Sequence, residues 1–206
     1  VAGTGGTVSR TSESLAPATG VALGSTATPN DGYLFSNWTV GSPTGTVVSS
    51  DPTFVPQKVG GLNVAATYYA NFTELPNITI NYVAGTGGVV SRTSESLAPA
   101  TGTALGSTAT ANAGYSFVNW TVGSPTGTVV STSLTYVPPK VDGLNVAATY
   151  YANFAENANV TINYVAGTGG VVKRTSESLA RGSGTALGST ATANAGYSFV
   201  NWTVGS

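Results

Sequence analysis

The chain has no cysteine, no methionine and no histidine. Those absences exclude disulfides, thiolate nucleophiles and imidazole-ligated metal sites. Charge is scarce as well. Asp, Glu, Lys and Arg make up 7% of the 206 residues, against about 25% in ordinary globular domains. Seven basic and eight acidic residues leave a net charge of −1. No basic patch can form to neutralise a phosphate backbone, so nucleic acid is not an expected partner. The same scarcity removes electrostatic attachment to anionic lipid. No apolar run approaches the roughly 18 residues of a bilayer span, and no membrane insertion is expected in this segment. No leader or sorting motif is recognisable. Because the sequence opens in mid-repeat, its natural ends are expected to lie outside it.

What the chain does contain is one text written three times. Trp38, Trp120 and Trp202 are each 82 residues apart. The surroundings recur: GYLFSNWTVGS at 32–42, then GYSFVNWTVGS at 114–124 and again at 196–206. Aligning 1–82 with 83–164 gives 16 differences, and a third copy begins at Val165 and stops at Ser206. A fixed period of this length marks an array of small structural units. Hydrophobic residues are 41% of the chain, and the aromatics sit at fixed places in each copy, which is not a disordered composition. The period divides the chain into a first repeat at 1–76 lacking its first strand, a complete second repeat at 77–158, and the N-terminal half of a third at 159–206. Arrays act through length, spacing or multivalency more than through one catalytic centre.

Within a repeat the patterning is that of strands. NITINYV at 77–83 and NVTINYV at 159–165 alternate apolar and polar residues, as a half-buried strand does. Gly85, Gly87 and Gly88 predict a turn, and 89–92 a second strand. TSESLAPATG at 93–102 reads as a loop with at most one helical turn, since Pro99 limits a helix. A strand of small side chains follows at 103–111, then a tight turn at 112–114. Tyr115 and Phe117 share a face, and Trp120 is one residue out of step. A bulge near Asn119 would bring all three into the core. Short strands are predicted at 128–130 and 133–137, a turn at Asp142–Gly143, and a final strand at 146–154 with Tyr150, Ala152 and Phe154 on one face. The link at 155–159 is too short for free rotation, so a semi-rigid, rod-like array is expected.

GSTATANAGYSFVNW at 106–120 coupled to DGLNVAATYYANF at 142–154 resembles the divergent listerial internalin B-repeat family, also described as the Listeria–Bacteroides repeat, copy by copy along the whole chain. The resemblance implies a mainly β fold in tandem small domains, with a β-grasp-like arrangement in the listerial case. It also implies bacterial cell-surface or secreted proteins in which such repeats serve as spacers, stalks or auxiliary adhesion modules. Family members often carry a charged residue or Gly before the Trp; here Asn37, Asn119 and Asn201 stand there.

Several residues invite a functional reading, and each has a structural alternative. Tyr33, Phe35 and Trp38 could stack on a sugar, but strand alternation and the family pattern put them in a packed core. Tyr69 and Tyr151 fall on the other face and are expected to be exposed, at a contact between repeats or on a binding surface. Arg10 and Glu13 recur as Arg92 and Glu95 and as Arg174 and Glu177. A catalytic carboxylate needs an acid or base beside it, and the other recurrent acid, Glu74 or Glu156, reads as an exposed linker residue. The pair is expected to brace a loop. Asp31 and Asp51 do not repeat, which argues against a calcium cage. Lys58 with Asn71, and Lys140 with Asn153, are candidates for an isopeptide bond only if a buried acid lies between them. The Asn-x-Thr triplets at Asn37, Asn119 and Asn201 read as structural. VAGTGG at 1–6 lacks the residues of a phosphate loop and reads as a hairpin turn.

No residue is assigned a catalytic, cofactor-binding or metal-binding role, no cofactor is expected, and no ligand-binding residue can be named. The chain reads as a non-catalytic spacer, stalk or fibre segment of an extracellular bacterial surface protein. The alternative is a multivalent adhesion module for glycan or host protein. The expected partners are neighbouring repeats or further copies of the chain, through fibre or donor-strand contacts. The position of the differences between copies discriminates the two readings: one shared face favours binding, and scattered solvent-facing loops favour a spacer.

Overall fold

A computed structural model describes residues 1–205; Ser206, the last residue of the third copy, lies outside the described residues. Copy one supplies β1 (Gly6–Val8), β2 (Ser25–Pro29), β3 (Tyr33–Val40), β4 (Thr46–Ser49), β5 (Thr53–Phe54) and β6 (Tyr68–Glu74). Copy two supplies β7 (Ile78–Ala84), β8 (Gly88–Val90), β9 (Ser94–Leu97), β10 (Ser107–Ala111), β11 (Tyr115–Val122), β12 (Thr128–Ser131), β13 (Thr135–Tyr136) and β14 (Ala148–Glu156). Copy three supplies β15 (Val160–Asn163), β16 (Gly170–Val172), β17 (Ser176–Leu179) and β18 (Ala191–Ala193). The fold is mainly β in tandem repeats, and no helix occurs among the described residues.

Two compact units form. The first joins Val1–Ile80 with Ser94–Leu105 and Val137–Ala147; the second joins Asn81–Thr93, Gly106–Tyr136 and the chain from Ala148 onward. In the first unit one sheet has the order β4-β3-β6 and another β1-β2-β5, with antiparallel pairing throughout. The register of β3 against β6 shifts between Phe35 and Asn37. That bulge carries Phe35 and Trp38, three residues apart, onto the same side of the sheet. The core is Ala27, Trp38 and Ala70, with Val8, Phe54, Tyr68 and Phe72 packed around it. The alanines matter: small side chains on β2 and β6 leave room for the indole. Its Nε1 donates to the Pro52 carbonyl at 3.0 Å, so the ring is buried without an unpaired donor.

The second unit repeats this plan. The larger sheet here has the order β12-β11-β14-β7-β9 and the smaller one β13-β10-β8. The bulge recurs between Phe117 and Asn119, and Trp120 is 0% exposed. β7 adds what copy one does not have. Tyr82, 1% exposed, stacks on Tyr150 and meets Trp120 edge-on, with centroids 6.0 and 6.1 Å away. In copy three β15 pairs antiparallel with β17, and β16 with β18.

Three expectations from the sequence differ from the fold. Residues 93–102 are not simply a loop: strand β9 comes first, and the single turn after it is closed by the Gly102 N–H on the Ala98 carbonyl at 3.1 Å. In copy three the reason is visible: Ser176–Leu179 finds a partner strand in β15, with Ile162 opposite Glu177. The second strand is Gly88–Val90 and not 89–92; a Cβ at Gly88 would lie 2.2 Å from the Phe154 ring, so glycine is what lets the ring come this close. Tyr69 and Tyr151 are half-buried, not exposed; Tyr69 lies opposite Thr39 of β3, and Tyr151 opposite Thr121 of β11. The Asp142–Gly143 turn is as expected, with both residues at positive φ between bridged Val141 and Leu144.

Candidate functional site

The polar groups converge most densely where one repeat meets the next. β6 ends at Glu74, and the following N–H, of Leu75, donates to the Gly32 carbonyl at 2.8 Å. This aims the carboxylate at the turn after β9. Glu74 Oε1 accepts from the Ala100 N–H at 2.6 Å and the Thr101 N–H at 2.8 Å, and Oε2 accepts from Thr101 Oγ1 at 2.7 Å. At the next junction Glu156 Oε1 accepts from the N–H groups of Gly182 and Ser183, both at 2.9 Å, and from Ser183 Oγ at 3.0 Å. Bonds to an ionised acceptor are the stronger kind. They hold both carboxyls below the ordinary carboxylate value, through the hydroxyl and backbone donors first, with desolvation opposing.

The turn that Glu74 grips is itself tightly built. Asn145 Nδ2 donates to the carbonyls of Ala98 and Gly102, at 3.0 and 2.9 Å, and Lys140 Nζ donates to that of Ala100. Gly32 and Gly114 allow the approach. Both have positive φ, and a Cβ on Gly32 would reach Leu144 at 2.9 Å while one on Gly114 would reach Gly182 Cα at 2.6 Å. The glycine of the GYxF motif thus has a reason in the contact between repeats as well as in its own backbone.

A second recurrent cluster braces the loop before β2 and its counterparts. Arg10 Nε donates to the Gly24 carbonyl at 3.1 Å, and Glu13 accepts from the N–H groups of Leu23 and Gly24. Arg174 and Glu177 treat Gly188 and Leu187 in the same way. Glu177 also accepts from Tyr164 Oη at 2.5 Å. That bond, then the Leu187 N–H, lowers the Glu177 carboxyl; the same bond, then desolvation, raises the Tyr164 phenol. Arg and Glu were expected to brace this loop as an ion pair; the bonds found run instead from each side chain to backbone groups of the turn.

The model for the divergent InlB B-repeat domain matches residues 1–74, 78–158 and 160–206. The chain belongs to this family. No curated protein and no solved structure matches it. Divergent B-repeats are associated with bacterial surface proteins and are generally non-catalytic, which makes the chain a repeated surface-protein module.

The other candidates of these B-repeats resolve into structural roles. Lys58 Nζ donates to the Ala18 carbonyl at 2.5 Å, whereas Asn71 Nδ2 donates to Asn37 Oδ1 at 2.8 Å and Thr39 Oγ1 at 3.1 Å. Lys140 and Asn153 have the equivalent separate partners, so the isopeptide pairs are not brought together. The same amide ladder engages Asn37 and Asn119 of the Asn-Trp-Thr triplets. Asp31 and Asp51 are exposed, and no group of three or more acids able to hold a metal gathers among the described residues. Trp38 and Trp120 lie inside, so neither offers a face for sugar stacking. Glu156 is exposed, as expected of a linker acid, and Glu74 is half-buried; what sequence reasoning missed is that each is held by the next repeat's turn. The available signal was their recurrence at the end of the YYANF strand, followed 26 residues later by a turn of small residues.

Proposed function

We propose that this chain is a spacer or stalk segment of an extracellular bacterial surface protein, holding successive B-repeats at fixed spacing and performing no catalysis. One observation carries the reading. At both junctions a glutamate ending the last strand of one repeat is bound by two backbone N–H groups and a hydroxyl of the next. With a link of few residues, such a clamp removes freedom that a flexible tether would keep. The 16 differences between copies one and two fit the same reading. In copy one Ser36, Phe54 and Ile78 are half-buried and the other differing positions are exposed. The differences are scattered over loops and strands and spare Ala27, Trp38 and Ala70; the one that touches that core, Phe54 against Tyr136, exchanges one aromatic ring for another.

The test is the distance distribution between spin labels at exposed positions in copies one and three. The unaltered chain should give a single narrow distribution, and Glu74→Gln with Glu156→Gln should broaden it. A broad distribution in the unaltered chain would remove the spacer reading.

A further inference from the structure

Copies one and two carry the same small hairpin, and it differs in one residue. In copy two Asp142 and Gly143, with φ of 49° and 81°, form the tip between Val141 and Leu144, whose N–H groups each donate to the other's carbonyl at 2.9 Å. In copy one Gly60 and Gly61, with φ of 60° and 80°, form the same tip between Val59 and Leu62. Asp142 is the one residue other than glycine with positive φ among the described residues. Its Cβ is crowded by the backbone in that conformation, a cost that Gly60 does not carry.

An Asp-Gly bond can rearrange without any outside reagent. The Gly143 amide nitrogen attacks Cγ of the protonated Asp142 carboxyl and closes a five-membered succinimide ring. The amide proton passes to solvent, and one carboxyl oxygen leaves as water. Water then adds back to the ring. Opening at the main-chain carbonyl breaks its bond to nitrogen and leaves Asp142 joined to Gly143 through Cγ, as isoaspartate. The atoms are conserved, nothing is oxidised or reduced, and the negative charge stays. Both reactants are already in one chain, so the step waits only on rotation about the bonds of the tip.

The tip at 142–143 has that freedom. Both residues are exposed, and the Gly143 N–H makes no hydrogen bond among the described residues. A Cβ on Gly143 would meet nothing within 4 Å. Asp31–Gly32, the other Asp-Gly bond in the sequence, is held. Gly32 is buried, its carbonyl accepts from the Leu75 N–H at 2.8 Å, and a Cβ there would reach Leu144 at 2.9 Å and Ala100 at 3.1 Å. Asp51 precedes Pro52, which has no N–H to lose.

The residues flanking the tip support the turn that binds Glu74. Lys140 Nζ donates to the Ala100 carbonyl, Asn145 Nδ2 to those of Ala98 and Gly102, and the Asn145 N–H to that of Pro99 at 2.8 Å. Isoaspartate inserts one more carbon into the backbone between Lys140 and Asn145. Their two sets of bonds then no longer fit one turn, and the Ala100 and Thr101 N–H groups that hold Glu74 belong to that turn.

We propose that Asp142–Gly143 is a site of spontaneous isoaspartate formation, and that the modification loosens the grip of the 98–102 turn on Glu74. The hairpin tip thereby acts as a slow covalent timer on one junction, and Gly60 exempts its counterpart in copy one. The site stands on the hairpin alone; the loosening rests on the reading of that junction as a spacer joint.

The test is to age the full chain at 37 °C and neutral pH, then digest it with trypsin. Isoaspartate is detected by methyl transfer from S-adenosylmethionine with an isoaspartyl methyltransferase, and its position is fixed by electron-driven fragmentation. It should accumulate at Asp142 in peptide 141–173 about tenfold faster than at Asp31 in peptide 11–58. Asp142→Gly, which restores the residue of copy one, should remove the signal from that position. In the isoaspartate-bearing chain the Ala100 and Thr101 amides should exchange about tenfold faster than in fresh chain, and aged Asp142→Gly should show no such change. No isoaspartate at Asp142, or equal accumulation at Asp31, would overturn the site. Unchanged exchange of the two amides would overturn its action on the junction. The spacer reading is judged on spin-label distances in fresh chain, so its failure and the failure of this inference are told apart.

Discussion

Residues 106–123 and 188–205 are identical in sequence and differ in structure. In copy two the stretch makes β10 and β11, and Trp120 is fully buried. In copy three only Ala191–Ala193 is a strand, residues 197–205 form none, and Trp202 is 47% exposed. What survives in both is local. Asn112 N donates to Gly87 and Tyr115 N to Asn112, and Asn194 and Tyr197 do the same with Gly169 and Asn194. Gly114 and Gly196 have φ of 83° and 82°. The Tyr164 ring still meets Trp202 edge-on at 6.0 Å, as Tyr82 meets Trp120. What is missing is the pairing: β11 lies between β12 and β14, and residues 197–204 have no such neighbours among the described residues. Turn chemistry is written in a few adjacent residues, whereas a strand exists only when another strand completes its ladder.

The sharpest way to break this comparison is at the tryptophans. Trp120→Ala should cost about 3–5 kcal/mol by cavity formation, and Trp202→Ala about 0.5 kcal/mol or less, as at surface sites. Urea unfolding of the two variants measures both, and equal losses would show that the two environments do not differ energetically. The converse experiment adds the missing neighbours. Appending a copy of residues 125–156 after Ser206 should turn residues 197–204 into a strand and raise the cost of Trp202→Ala to about 3 kcal/mol. Unchanged amide exchange over that stretch would show that pairing is not what it lacks.

A smaller contrast lies in the amide ladder. Asn153 donates to both Asn119 and Thr121, so Asn153→Ala should cost about 1–2 kcal/mol. Asn201→Ala, at the exposed counterpart of Asn119, should change stability by less than about 0.5 kcal/mol. The smallest expected effect is on acid. Glu177 sits below the ordinary carboxylate value of 4.5 when folded. Its contribution is therefore present above that value and fades as pH falls through the folded value. Amide protection of β15 and β17 should drop on acidification in that window, and Glu177→Gln should flatten the drop. A pH-independent protection pattern in the unaltered chain would contradict this.

Much of the fold was legible in the residues. The out-of-step Trp120 requires a bulge beside Asn119, and one is there. Asp142 and Gly143 announce a turn by their backbone preference. The alternation of Tyr150, Ala152 and Phe154 marks an inner face, and Ala152 is fully buried. The misreadings share a cause. Residues 93–102 looked like a loop because their partner strand lies elsewhere in the chain. Tyr151 looked exposed because period-2 logic does not say whether the second face of a central strand is also covered. Glu74 and Glu156 looked like idle linker acids because their partners, 26 and 27 residues on, are backbone N–H groups and one small hydroxyl each, in a chain where Ser and Thr are everywhere.

By itself the sequence determined the 82-residue period, the class of fold, the turns and the residues able to fill a core, because each depends on composition or on neighbours a few positions apart. Only the tertiary structure decided which identical stretches become strands, which tryptophans are buried and which glutamates bind the next repeat. Those outcomes depend on a partner brought close from a distant part of the chain, and identical text cannot specify whether that partner is present.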